Sequence, residues 1–172
     1  YSYRSFFQVN PYISEKIKED VLAEIQSLDT VYDLYCGVGF FTLPLAQRCR
    51  KVIGVEENPY AIQLALRNAK LNHITNATFH VGKVEDILPK MKEQMSVAVI
   101  DPPRSGIKKM VISTLQKMAI NKIIYISCNP LTLVRDLQLL EEYYQLKSLQ
   151  FYDMFAYTKH VEAMCILEKN KL

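Results

Sequence analysis

Apolar positions follow two different periods along the chain. After Asn10-Pro11, which reads as a helix N-cap followed by proline at the first helical position, Ile17, Val21, Leu22, Ile25 and Leu28 recur at helical spacing. Beyond Asp29 the pattern changes to short β-rich runs alternating with helical stripes. Strands are expected at 31–35, 52–56, 77–81, 97–100 and 122–126, and again near 146–152 and 162–167. Helices are expected over 41–49, from Pro59 through Ala69 with Ala61, Ile62, Ala65, Leu66 and Ala69 on one face, over 108–119 and over 131–144. This alternation predicts an α/β fold: a seven-stranded, mostly parallel sheet with helices on both faces. The link between the last two runs is too short for a crossover helix, so those strands should be antiparallel neighbours. Residues 1–28 then form an N-terminal extended segment and helix, and 29–172 the core of the same domain.

The composition fits one core rather than two. The chain has 172 residues, 49% hydrophobic and 23% charged. A net charge of +3 permits a nucleic-acid partner without requiring one. No apolar run approaches the length of a membrane span. Cys36, Cys49, Cys128 and Cys165 form no CxxC pair and have no histidine at metal spacing, so neither a metal site nor a disulfide framework is expected. A cytoplasmic location follows from that cysteine usage. The chain starts at Tyr1 without an initiator Met, which is expected of a C-terminal piece of a longer protein.

Asp33-Leu34-Tyr35-Cys36-Gly37-Val38-Gly39 runs a strand into a Gly-x-Gly turn ahead of a helix. Gly37 and Gly39 allow close approach of backbone to a ligand. Glu56 ends the next strand, at the spacing from Gly37 where an acid accepts from the ribose hydroxyls of a nucleoside. Thr42 stands where a dinucleotide fingerprint has its third glycine. That disfavours a pyrophosphate and leaves a simpler nucleoside cofactor, of which S-adenosylmethionine is the commonest.

A second edge carries reactive groups. Asp101-Pro102-Pro103-Arg104 follows the fourth strand, and its two prolines hold Asp101 rigidly at the sheet edge. Arg104 suits phosphate contact or ring stacking. Cys128 lies where a buried strand ends and the Pro130 helix begins, so it is either a small filler or a nucleophile whose thiolate the helix dipole favours. Cys36, Cys49 and Cys165 read as packing. Glu162 starts the last strand from the same edge and is a candidate general base.

Five stretches together resemble the RNA uracil-5-methyltransferases: Ser5-Phe6-Phe7-Gln8-Val9-Asn10, the Asp33–Gly39 turn, Asp101-Pro102-Pro103-Arg104-Ser105-Gly106, Ile126-Ser127-Cys128-Asn129-Pro130, and Thr158-Lys159-His160-Val161-Glu162. The resemblance spans the chain with the motifs in the family's order. It implies a Rossmann-like class I methyltransferase fold and methyl transfer from S-adenosylmethionine to C5 of a uridine, in 23S rRNA ahead of tRNA. It further implies Cys128 as nucleophile, Glu162 as base, and Gln8, Tyr35, Glu56 and Asp101 as contacts of the cofactor. Phe6, Phe7, Phe155 and Tyr157 are candidates to stack on bases, and Arg4, Arg104, Lys108, Lys109 and Lys159 to meet phosphates. An RNA-binding N-terminal domain, usual in the family, is expected outside this chain. The residues leave open two other readings: a methyltransferase of another substrate class, and a domain that binds cofactor or RNA without turnover.

Overall fold

Seven strands form one sheet in a computed structural model that describes residues 10–153 and 161–170. In chain order they are β1 (Thr30–Leu34), β2 (Lys51–Glu56), β3 (Ala77–Val81), β4 (Val97–Ile100), β5 (Lys122–Ser127), β6 (Tyr144–Asp153) and β7 (Val161–Lys169). The helices are α1 (Pro11–Ala23), α2 (Thr42–Ala46), α3 (Pro59–Leu71), α4 (Val84–Ile87), α5 (Lys109–Met118) and α6 (Pro130–Leu140). The strand order is β3-β2-β1-β4-β5-β7-β6. Strands β1 to β5 are parallel, while β7 runs antiparallel to both β5 and β6. The chain winds outward from β1 to β3, then returns to β4 on the other side of β1. That reversal opens a crevice at the carboxyl ends of β1 and β4, where open α/β sheets bind ligands.

The sheet is covered on both faces. On one side Val31, Val52, Val97, Val99, Ile124, Ile126, Met164 and Ile166 pack with Ile17, Val21 and Leu22 of α1 and with Leu45 and Ala46 of α2. On the other, Tyr32, Leu34, Ile53, Val55, Ala98, Ile100, Ile123 and Tyr125 pack with Val111, Ile112 and Leu115 of α5 and Leu133 and Leu140 of α6. Strands β1 and β4 are buried at every position, the continuous apolar run of a strand covered on both sides.

Three asparagines begin helices as the sequence leads one to expect. Asn10 Oδ1 accepts from Ile13 N at 3.3 Å, Asn58 Oδ1 from Tyr60 N at 3.0 Å, and Asn129 Oδ1 from Leu131 N at 3.1 Å, each with proline next.

Several details differ from the sequence expectation. Helix α2 spans only Thr42–Ala46 of the expected 41–49. Helix α1 stops at Ala23, since the Glu24 N–H turns back onto Leu22 and Val21 oxygens; Ile25 still reaches the core, but Leu28 is 83% exposed. Leu66 points outward from α3, which its small alanines pack closely against the sheet without it. The α4 turn was not expected, because four residues running into Pro89 are too short to show a period. Finally, α6 ends at Leu140 and Tyr144 opens β6 instead; the two sit four apart, which imitates one more helical turn.

Candidate active site

The register of the sheet sets the candidate groups in a row. The last parallel pairs of β1 are Leu34 with Val55 of β2 and Leu34 with Ile100 of β4. One step further, Glu56 and Asp101 follow at the carboxyl edge, while the left-handed Tyr35 turns its ring to the α5/α6 face. Strand β5 pairs with β7 up to Ser127 opposite Ala163. Extending that antiparallel register by one residue sets Cys128 opposite Glu162. Side chains alternate faces, so Asp33, Asp101, Cys128 and Glu162 all belong to the α1/α2 side of the sheet.

Backbone conformation at the end of β1 is unusual. Tyr35 has φ of 67°, Gly37 54° and Gly39 86°. A left-handed tyrosine costs on the order of 1 kcal/mol or more and persists only where its surroundings hold it. Here Tyr35 N and Cys36 N both donate to Val55 O, at 2.9 and 3.0 Å, and the tyrosine ring packs against the core. Among the described residues, nothing lies within 4 Å of where a Cβ on Gly37 would sit, so they leave open space at the turn. Glu56 is held above that space: Gly37 N donates to Oε2 at 3.1 Å and Asn58 N to Oε1 at 2.8 Å.

Beneath the turn lies Asp33, fully buried, which sequence reasoning did not single out. Thr42 Oγ1 donates to its Oδ2 at 2.5 Å, while Oδ1 has no partner among the described residues. Burial drives the Asp33 carboxyl up to about 7, against the Thr42 bonds, with Glu56 adding to the rise. The signal was present in the sequence, since an acid inside an otherwise apolar strand is expensive unless something uses it.

Asp101, Cys128 and Glu162 sense one another. Burial, and after it the charges of Glu162 and Asp33, raises Asp101 to about 8. Glu162 is lifted by burial to about 7, opposed by Arg104. The Cys128 thiol is raised by burial first, then by Glu162 and Asp101; the Arg104 charge and its hydrogen bond to the thiol oppose the rise. The expectation that Cys128 is acidic is therefore corrected: burial, and after it Glu162 and Asp101, hold the thiol above its ordinary value. Cys36, Cys49 and Cys165 are buried, whereas Cys128 is only partly so. The row thus holds a reachable thiol, a cation beside it, and carboxyls that can take up or release a proton near neutral pH.

Arg104 therefore acts at the thiol, a placement that the spacing of its motif did not disclose. Lys108 is engaged elsewhere, with Nζ 2.5 Å from Glu85 Oε1. Gln8, Arg4, Phe6, Phe7, Phe155, Tyr157, Lys159 and His160 lie outside the described residues. Among the described residues, no group of three or more His, Cys, Asp or Glu could hold a metal ion, and no helix is long and apolar enough to cross a membrane.

Comparison with known proteins gives this geometry a context. The family model described as tRNA (uracil-5-)-methyltransferase matches residues 1–170. An RNA methyltransferase of Bacillus cereus, otherwise uncharacterised, is 44% identical over 97% of this chain, which spans 38% of that protein's length. The crystal structure of the Pyrococcus abyssi tRNA (uracil-54, C5)-methyltransferase with S-adenosyl-L-homocysteine superposes with a TM-score of 0.86 at 32% identity, covering 95% of this chain and 40% of that one. The N-methyltransferase NodS of Bradyrhizobium japonicum, 13% identical with a TM-score of 0.78 over 94% of this chain and 98% of its own, shares the fold alone. The fold is thus that of the class I methyltransferases.

Proposed function

The chain belongs to the tRNA (uracil-5-)-methyltransferase family, and from that premise we propose that it transfers a methyl group from S-adenosylmethionine to C5 of a uridine in RNA, with Cys128 as nucleophile and Glu162 as general base. The observation that carries this reading is the β5–β7 register, whose last pair, Ser127 with Ala163, leaves Cys128 and Glu162 as the next two residues at that edge, with Glu162 and Asp101 both acting on the thiol.

The residues at the glycine turn fit the cofactor. Glu56 presents a carboxylate already oriented by two backbone N–H groups, suited to accept from ribose hydroxyls. The open space over Gly37 leaves room for the nucleoside. The unpartnered Asp33 oxygen and the raised Asp101 carboxyl suit a cationic ligand, which relieves both. When bound, S-adenosylmethionine supplies an electrophilic methyl group. Tyr35 and Gln8 complete the set of proposed cofactor contacts.

The protein's own groups do the rest. C5 of uracil is a poor nucleophile. Addition of the Cys128 thiolate at C6 forms a C–S bond and leaves an electron pair at C5, which takes the methyl group. Glu162 then removes the C5 proton, the C–S bond breaks, and Cys128 leaves as thiolate. A carboxyl near 7 is poised for that proton. Arg104 favours the thiolate at the start and end of the cycle. The uridine must leave its stack to reach this row, at a cost of a few kcal/mol.

The resemblance places ribosomal RNA ahead of tRNA, whereas the Pyrococcus relative acts on tRNA. Mapping 5-methyluridine in both RNAs, from cells with and without the gene, tests the reaction and reads the target. Loss at a defined uridine supports the proposal and names the RNA; unchanged 5-methyluridine in both defeats it.

A further inference from the structure

The loop that presents Arg104 is fixed by a buried polar cluster that the chemistry above does not use. Asp136, on α6, is fully buried. Its Oδ2 accepts from Ile107 N at 2.9 Å and from the Tyr125 hydroxyl at 2.7 Å. Its Oδ1 accepts from Arg135 Nε at 2.9 Å and Nη2 at 2.6 Å. The same Arg135 Nη2 donates to Ser105 O at 2.9 Å and Ile107 O at 3.5 Å. Gly106, at φ 74°, passes so near that a Cβ would lie 2.4 Å from Asp136 Oδ2 and 2.5 Å from Arg135 Nη2. Upstream, the Arg104 carbonyl accepts from Asn129 Nδ2 at 3.0 Å and Thr132 Oγ1 at 3.3 Å, next to Cys128. Apolar packing alone could anchor a loop against a helix. A buried carboxylate with four donors fixes its direction as well.

We propose that Asp136 is a positioning residue for the reactive thiol: with Tyr125 and Arg135 it sets the 104–107 loop against α6 so that the Arg104 guanidinium stays beside Cys128. The inference deepens the proposed function and rests on Cys128 being its nucleophile. Among the described residues, the charged groups around the thiol are Arg104 and Asp101 after β4 and Glu162 on β7. Of these only Arg104 favours the thiolate, so its placement matters.

The test reads the thiol without RNA or turnover. Iodoacetamide alkylation of Cys128 in the full-length protein is followed by peptide mass spectrometry from pH 6 to 10, since alkylation tracks the thiolate. Arg104→Gln should slow alkylation at pH 8 by roughly threefold to tenfold, through loss of a neighbouring positive charge. Asp136→Asn should slow it by a similar factor, and adding it to Arg104→Gln should slow it no further. A folded Asp136→Asn whose profile overlays the wild type overturns the proposal; so does an additive double variant, or an Arg104→Gln without effect. If Asp136→Asn does not fold, Tyr125→Phe, which removes one of the four donors, takes its place. It should slow alkylation in the same direction and less, and an unchanged profile refutes the idea. Alkylation behaving as expected in a protein that forms no adduct on RNA would retain the positioning role and reject the proposed reaction.

Discussion

Three acids on one face of the sheet, Asp33, Asp101 and Glu162, carry raised pKa values of about 7, 8 and 7. A carboxyl raised on folding favours its protonated form in the native state. Its contribution to stability is full below the unfolded value near 4 and is lost as pH rises through the folded value. The protein without ligand should therefore melt higher at pH 6 than at pH 8.5. Asp101→Asn should flatten that slope and raise stability at pH 8.5 by on the order of 2 kcal/mol, while impairing cofactor binding, the trade expected at a site strained for function. Thermal unfolding at the two pH values checks this. Glu162 bears on turnover instead. Glu162→Gln leaves the C5 proton without an acceptor, so methylation should fall by about 100-fold or more, with the protein–RNA adduct accumulating on ordinary uridine. Quench-gel assays read both. Asp33 and Arg104 show where single residues escape the sequence. Asp33 stood out only as an acid in an apolar strand, and its unpartnered oxygen among the described residues is a feature of the fold; the tie of the 104–107 loop to Asp136 joins residues far apart in sequence.

Elements were legible in proportion to their length and their punctuation. The Asn-Pro starts of α1 and α3, and Pro130 at the start of α6, were visible because cap and proline are local signals. The α4 turn and the end of α6 were not, because they are decided by what the chain packs against. The α6 start should be sensitive to its cap: Asn129→Ala loses both the bond from Leu131 N and the tie to the Arg104 carbonyl. Loss of the cap alone costs about 1 kcal/mol, measurable by denaturant unfolding, and alkylation of Cys128 should slow as the loop loosens. Gly106→Ala should be worse. It adds left-handed strain and drives a Cβ into the Asp136 carboxylate, which four bonds hold in place. A drop of about 2 kcal/mol or more is expected, together with slower methylation.

The molecule as a whole followed from alternation, apart from one insertion. Five parallel strands and a pair of antiparallel late strands were readable from period and link length. That β7 slips between β5 and β6 was not, since strand pairing across the chain is long-range information. Yet this insertion makes the site: it brings Glu162 opposite Cys128 and beside Asp101. The sequence named Cys128, Glu162 and Asp101 as candidates, and the sheet brings the three close enough to influence one another's charge. We propose that residues 10–28 belong to the same folding unit as the core, because Ile17, Val21 and Leu22 pack on the sheet, the Tyr152 hydroxyl donates to Asp20 at 2.9 Å, and Lys122 Nζ lies 2.8 Å from Glu24.

Convergence on one covalent step is tested most directly with RNA carrying 5-fluorouridine, whose C5 cannot release a proton. Incubated with the full-length protein and S-adenosylmethionine, it should give a stable adduct that mass spectrometry places on Cys128, and Cys128→Ala should give neither adduct nor methylation. Methyl transfer to uridine without an adduct, undiminished in Cys128→Ala, would contradict the account.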